Sequence, residues 1–110
     1  MATVAASRPD ARLVIAGDGP ERALAERLVD RIGIRDVVRF LGIVPYPQVP
    51  RYFAAADLFL LPSRYEGNAR VLAEAGAAGT PSVTTDVSGA YDTVLEGETG
   101  AIVPVERPDL

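Results

Sequence analysis

Along these 110 residues a rhythm recurs of short apolar run, turn, then helical pattern. That rhythm constrains the fold more than any other feature of the chain. Arg12-Leu13-Val14-Ile15-Ala16 is expected to be a buried strand, closed by Gly17-Asp18-Gly19-Pro20. Pro20 suits a first helical position and Glu21 favours a helix start. Leu24, Leu28, Val29 and Ile32 then form an apolar stripe at helical spacing, stopped by Gly33. Val37 to Leu41 is the second expected strand, ended by Gly42. After Pro45, Pro47 and Pro50, a short helix from Arg51 to Ala56 is expected to bury Tyr52 and Phe53. Leu58 to Leu61 is the most apolar strand and is therefore expected in the middle of the sheet. A helix after Asn68 turns Val71, Leu72 and Ala75 inward, with Gly79 and Pro81 ending it. Ser82-Val83-Thr84 follows as a strand, then a helical turn around Tyr91 to Leu95, then Ala101-Ile102-Val103. Strands alternating with helices imply parallel pairing through right-handed crossovers. The expected class is α/β, a Rossmann-like parallel sheet of about five strands flanked by helices.

Composition narrows the chemistry. All 11 basic residues are arginine, and the sequence contains neither lysine nor histidine. A histidine base, a Schiff-base lysine and a histidine metal site are all excluded within this chain. With no cysteine there is no disulfide or thiolate metal site either, and a cytoplasmic setting is expected. A net charge of -4 argues against nucleic acid as a partner, whose binders show a basic patch. The apolar runs are short, so no membrane contact is expected from this segment. The Ala-rich stretch from Met1 to Pro9 resembles the tail of a helix that lacks a preceding strand, and Arg107-Pro108-Asp109 is a turn signal at the other end. The chain, one domain fragment over residues 1–110, is therefore expected to belong to a larger protein.

The candidate site lies in Glu66-Gly67-Asn68-Ala69-Arg70-Val71-Leu72-Ala73-Glu74. Glu66 falls in the loop at the carboxyl end of a strand, the edge at which open α/β sheets bind ligands. Glu74 falls about two turns into the next helix. A helix mouth offers unpaired N–H groups and a positive dipole end. Gly67 allows close approach and Asn68 is a candidate cap, so the N–H groups of about Ala69 to Val71 are a candidate anion site, to which Arg70 can add charge. Ionised carboxylates accept hydrogen bonds from the hydroxyls of a sugar or ribose. Spacing alone leaves a plainer reading open, with Glu66 capping locally and Glu74 on a solvated helix face. Gly17-Asp18-Gly19-Pro20 lacks the third glycine of a dinucleotide fingerprint and any P-loop lysine, and is expected to be a plain strand-to-helix turn. Asp86, Ser88 and Gly89 occupy another carboxyl-end loop that can line a cleft.

Pro62-Ser63-Arg64-Tyr65-Glu66-Gly67, Leu72-Ala73-Glu74-Ala75 and Ala78-Gly79-Thr80-Pro81 together closely resemble the E-x7-E signature of retaining GT-B-fold glycosyltransferases of the group 1, family 4 type. Leu13 to Pro20, Val38 to Gly42, Ala55-Ala56-Asp57 and Gly97-Glu98-Thr99-Gly100 agree in order and spacing, so the resemblance runs from about Pro9 onward. It implies the carboxyl-terminal, donor-binding domain of an enzyme that moves a hexose from a nucleoside-diphosphate sugar (UDP or GDP) to an acceptor hydroxyl. By that resemblance Glu66 is catalytic, contacting the donor sugar. Gly67, Asn68, Ala69 and Arg70 lie against the sugar and phosphate, Glu74 binds the ribose, and Val44 meets the base through backbone groups. It implies the nucleotide sugar as donor substrate, with no cofactor and no metal on this half, and an amino-terminal acceptor domain as partner. The Arg and Lys with which such domains grip the diphosphate have no counterpart here, so the fragment alone is expected to be inactive. Asn68 and Gly76 depart from the usual pattern, the latter standing where a larger residue is common. A non-catalytic nucleotide-binding or interaction module of the same fold is the alternative. A receiver-like domain is disfavoured by the lack of lysine.

Overall fold

The computed structural model describes residues 1–106; the Arg107-Pro108-Asp109 turn signal lies outside them. Its five strands are all parallel to their neighbours, but they form two sheets rather than one. The chain divides accordingly into Met1–Tyr46 and Pro47–Leu110.

The first unit begins with helix α1 (Ala2–Ser7), followed by β1 (Leu13–Ala16), α2 (Arg22–Arg31) and β2 (Val38–Gly42). Strands β1 and β2 pair in register from Leu13↔Val38 to Ile15↔Phe40, with an irregularity before Ala16↔Gly42. Helix α2 starts two residues after Pro20, with Glu21 at its N-cap. Its expected apolar stripe is only partly inward. Val29 is buried, whereas Leu24, Leu28 and Ile32 are 55%, 43% and 43% exposed. Val14 of β1 is also half-exposed, as alternate residues of a strand face opposite ways.

The second unit contains α3 (Val49–Ala55), β3 (Phe59–Leu61), α4 (Arg70–Ala77), β4 (Ser82–Thr85), α5 (Ala90–Thr93) and β5 (Gly100–Val103). The strand order is β3-β4-β5, so the apolar β3 is at the edge and the hydroxyl-rich β4 is central. The reason is visible in the side chains. Leu58 and Leu60 are 47% and 45% exposed, leaving only Phe59 and Leu61 to pack inward. Ser82, Thr84 and Thr85 are buried, and the two threonine hydroxyls find backbone carbonyls as partners. Buried hydroxyls are tolerated when so satisfied. At the far side of β4, Gly100 of β5 pairs with Ser82 so closely that a Cβ would overlap the Ser82 carbonyl.

The core joins Ala69 and Leu72 at the start of α4 to Val87, Ala90 and Val94, with Phe59, Leu61 and Ile102 packed against them. Phe53 of α3 is buried and meets Phe59 edge-on at 5.1 Å between ring centroids. Tyr52, expected inside, is 42% exposed, since the residue beside Phe53 on so short a helix points elsewhere. The buried Thr80 hydroxyl donates to the Phe53 carbonyl at 2.7 Å and fastens α3 to the turn after α4.

Gly76 lies exposed inside α4, and no protein atom outside its own helix backbone lies within 4 Å of where a Cβ would stand. Nothing in the structure requires glycine there. Because glycine in a helix costs roughly 0.5–1 kcal/mol relative to alanine, Gly76→Ala is expected to raise stability by about that amount. Denaturant unfolding of the two forms checks it; a midpoint unchanged or lowered would point to a clash that the structure does not contain.

Candidate functional site

Strands β3 and β4 run parallel, so the loops that leave them emerge at the same edge of their sheet. The first loop, residues 62–69, carries Glu66; the second, residues 86–89, carries Asp86, Ser88 and Gly89. The two loops touch. The Ala69 N–H donates to the Ser88 carbonyl at 3.4 Å. Gly89 has φ +84° and its backbone passes so near that a Cβ would lie 3.5 Å from both the Ala69 nitrogen and Asn68 Oδ1. A left-handed backbone at this contact favours glycine.

The beginning of the first loop is fixed from the neighbouring strand. The Thr85 hydroxyl donates to the Ser63 carbonyl, its proton shared with the Leu61 carbonyl at 3.3 Å, and the Thr84 hydroxyl lies at the same distance from the Leu61 carbonyl. Ser63 in turn donates its hydroxyl to Glu66 Oε1 at 2.7 Å. Ser63 and Glu66 are both half-buried, whereas Gly67, Asn68 and Arg70 are exposed. Arg64 forms an ion pair with Glu106 at 3.2 Å, but both side chains are largely solvated and such a pair contributes little.

Helix α4 starts later than the sequence suggested. Its N-cap is Ala69, which has no side chain able to cap, and Asn68 makes no capping hydrogen bond. The first turn is closed by backbone bonds instead, from Arg70 N–H to the Asn68 carbonyl at 2.7 Å and from Leu72 N–H to the Ala69 carbonyl at 2.9 Å. Two of the three amides expected to be open to an anion, those of Ala69 and Arg70, are thus directed at protein carbonyls. The Ala69 bond is long and weak. The methyl group of Ala69 faces the core, at 2% exposure. Glu74 is the fifth residue of α4, so it lies a little over one turn into the helix, not two; it is half-buried.

Val44 belongs to the first unit, half-buried in the stretch that follows β2. In that unit the Gly17–Gly19 turn closes on itself. Asp18 accepts from the Gly19 N–H at 2.8 Å and from Arg22 at 3.3 Å, and Arg22 also donates to Glu26 at 3.0 Å. The guanidinium lies 5.9 Å from the centre of the Phe40 ring. The Glu26 hydrogen bond, reinforced by the charges of Asp18 and Glu26, holds the Arg22 pKa above its ordinary value. This turn satisfies its own polar groups, in keeping with a plain strand-to-helix connection.

Among the described residues, no group of three or more acidic, histidine or cysteine side chains is placed to hold a metal. Among the same described residues, no helix is long and apolar enough to cross a membrane. Sequence reasoning did not single out Thr84, Thr85 or the Ser63–Glu66 bond. A hydroxyl pair closing a strand and a serine three residues before a glutamate were the available signals.

Comparison with known proteins agrees in sequence and in shape. A GDP-mannose-dependent alpha-(1-6)-phosphatidylinositol monomannoside mannosyltransferase from Mycolicibacterium smegmatis is 36% identical in an alignment that covers 86% of this chain and 27% of the relative. Sucrose-phosphate synthase from Thermosynechococcus elongatus superposes with a TM-score of 0.83 at 33% identity, over 96% of this chain and 28% of that structure. Anabaena HepE in complex with UDP-glucose gives 0.80 at 28% identity, over 96% and 30%. The chain spans about a quarter of the length of the curated relatives it matches. Its fold is therefore part of a GT-B fold, with Rossmann-like parallel strands and flanking helices. The family of glycosyl transferases group 1 matches residues 1–110, and the chain belongs to that family.

Proposed function

We propose that the chain is the donor-binding, carboxyl-terminal part of a retaining glycosyltransferase carrying the E-x7-E motif. The whole protein would move a hexose from a nucleoside-diphosphate sugar to an acceptor hydroxyl in the synthesis of a glycan, glycolipid or polysaccharide. The observation that carries this reading is the position of Glu66. In a member of this family, a half-buried carboxylate tied to Ser63 stands in the loop at the carboxyl end of β3, immediately ahead of the helix that bears Glu74. UDP and GDP both remain candidate donors, since one relative is named for GDP-mannose and one similar structure holds UDP-glucose.

In this reading Glu66 accepts hydrogen bonds from the donor sugar and opposes the positive charge that develops at its anomeric carbon. Charge placed where it develops, with water excluded, is the largest single source of catalysis in many enzymes. Glu74, one turn further on, accepts from the ribose hydroxyls. Gly67, Asn68, Ala69 and Arg70 lie along the sugar and distal phosphate, and the weak Ala69–Ser88 bond is the amide most easily released to an anion. The Val44 backbone meets the base. The donor is a substrate, and the proposal includes neither metal nor cofactor. An amino-terminal domain supplies the acceptor wall, and an Arg/Lys grip on the diphosphate comes from outside these residues. A chain without cysteine needs no oxidising compartment to fold, and the setting we propose is cytoplasmic.

Three outcomes test the reading. In the full-length protein, Glu74→Ala is expected to weaken binding of the preferred nucleotide sugar by roughly 1.5–3 kcal/mol, the usual contribution of hydrogen bonds to a charged group; calorimetry with UDP- and GDP-sugars measures it, and unchanged affinity would remove the ribose assignment. Glu66→Gln is expected to reduce turnover by about a hundredfold or more while nucleoside diphosphate binding changes little. Wild-type turnover in that variant would remove its catalytic role. The 110-residue chain by itself is expected to transfer no sugar; measurable transfer would refute its dependence on another domain.

A further inference from the structure

Ser63 stands between two hydrogen bonds of different purpose. Its carbonyl accepts from the hydroxyl of Thr85, and its own hydroxyl donates to Glu66 Oε1 at 2.7 Å. We propose that Ser63 is a positioning residue, aiming the Glu66 carboxylate, and that Thr85 anchors Ser63 from the buried carboxyl-terminal end of β4. The inference rests on the catalytic reading of Glu66 given above.

A glutamate on a loop has three rotatable bonds, and fixing them costs entropy at the moment of reaction unless another group has already done so. A hydroxyl–carboxylate bond of 2.7 Å is within the short, charge-assisted range and holds one oxygen in place. Oε2 is the oxygen that this bond leaves available. The holding group must itself be fixed for this to matter. Thr85 is 8% exposed and shares its one hydroxyl proton with the Leu61 carbonyl at 3.3 Å, while Thr84, at 1% exposure, directs its hydroxyl at the Thr85 carbonyl at 3.1 Å and the Leu61 carbonyl at 3.3 Å. The line of support therefore runs from the centre of a sheet, through Thr85 and Ser63, to the carboxylate. It does not depend on the exposed residues of the loop.

The test is steady-state kinetics on the full-length protein with its nucleotide-sugar donor. Ser63→Ala is expected to lower kcat about tenfold or more, as loss of one hydrogen bond to a charged group implies. The donor KM is expected to stay within about twofold, because the loss falls on turnover and not on ground-state binding. Ser63→Thr, which keeps the hydroxyl, is expected to restore most of the rate. Ser63→Ala is also expected to have little further effect once Glu66→Gln is present, since residues acting through one another are not additive. Thermal unfolding checks each variant, and Ser63→Cys replaces Ser63→Ala if the alanine form does not fold. Wild-type kcat in Ser63→Ala, or a Ser63→Thr as slow as the alanine form, would overturn the inference while leaving Glu66 its role if Glu66→Gln is inactive. Full activity in Glu66→Gln would overturn the underlying reading and the inference together.

Discussion

The parallel pairing of β3 with β4, from Phe59↔Ser82 to Leu61↔Thr84, is the constraint on which the second unit depends. It sends both strands out at one edge, which brings the Glu66 loop against the loop carrying Ser88 and Gly89. The pairing also places the Thr84 and Thr85 hydroxyls beside the carbonyls of Leu61 and Ser63. A valine at either threonine position would fit the sheet in shape but would abandon those carbonyls. The strand that looks least suited to a core, Ser-Val-Thr-Thr, is central because its polar groups are the ones that tie the neighbouring loop.

The same economy appears at the start of α4. Ala69 presents its methyl group to the core and its N–H to Ser88, so a single residue joins the packing of the unit to the geometry of the helix mouth. Leu72, one turn along, continues the packing, and Glu74 lies beyond it on a half-buried face. Core and candidate site are therefore consecutive residues of one element, not separate regions of the protein.

Much of this was legible from the order of the residues. Short strand-like runs bounded by turn residues located all five strands to within a residue or so, and the segment from Pro62 to Glu74 located the candidate loop and helix. What escaped has physical causes. Hydrophobicity placed β3 at the centre, but a three-residue strand with Leu60 outward, preceded by an exposed Leu58, has too little to bury on both faces. Helical spacing grouped Leu24, Leu28 and Ile32 with Val29, yet periodicity gives a face and says nothing of what covers it. Asn68 looked like a cap by residue type, whereas the chain closes that turn through its backbone and begins the helix after Ala69. The threonine ties could not be foreseen, because they join residues 22 to 24 positions apart and exist only once the strands have paired.

That separation bears on when the site comes into being. Ser63 and Thr85 meet only after the whole crossover through α4 has closed, and closure of a long loop precedes any reward from the contacts it makes. A short peptide spanning both glutamates would contain the complete signature, Ser63 included, but nothing that fixes Ser63 in place, for Thr84, Thr85, Ser88 and Gly89 all lie downstream of it. The arrangement around Glu66 thus exists only where the crossover is closed, and its integrity reports on that closure and not on the motif alone.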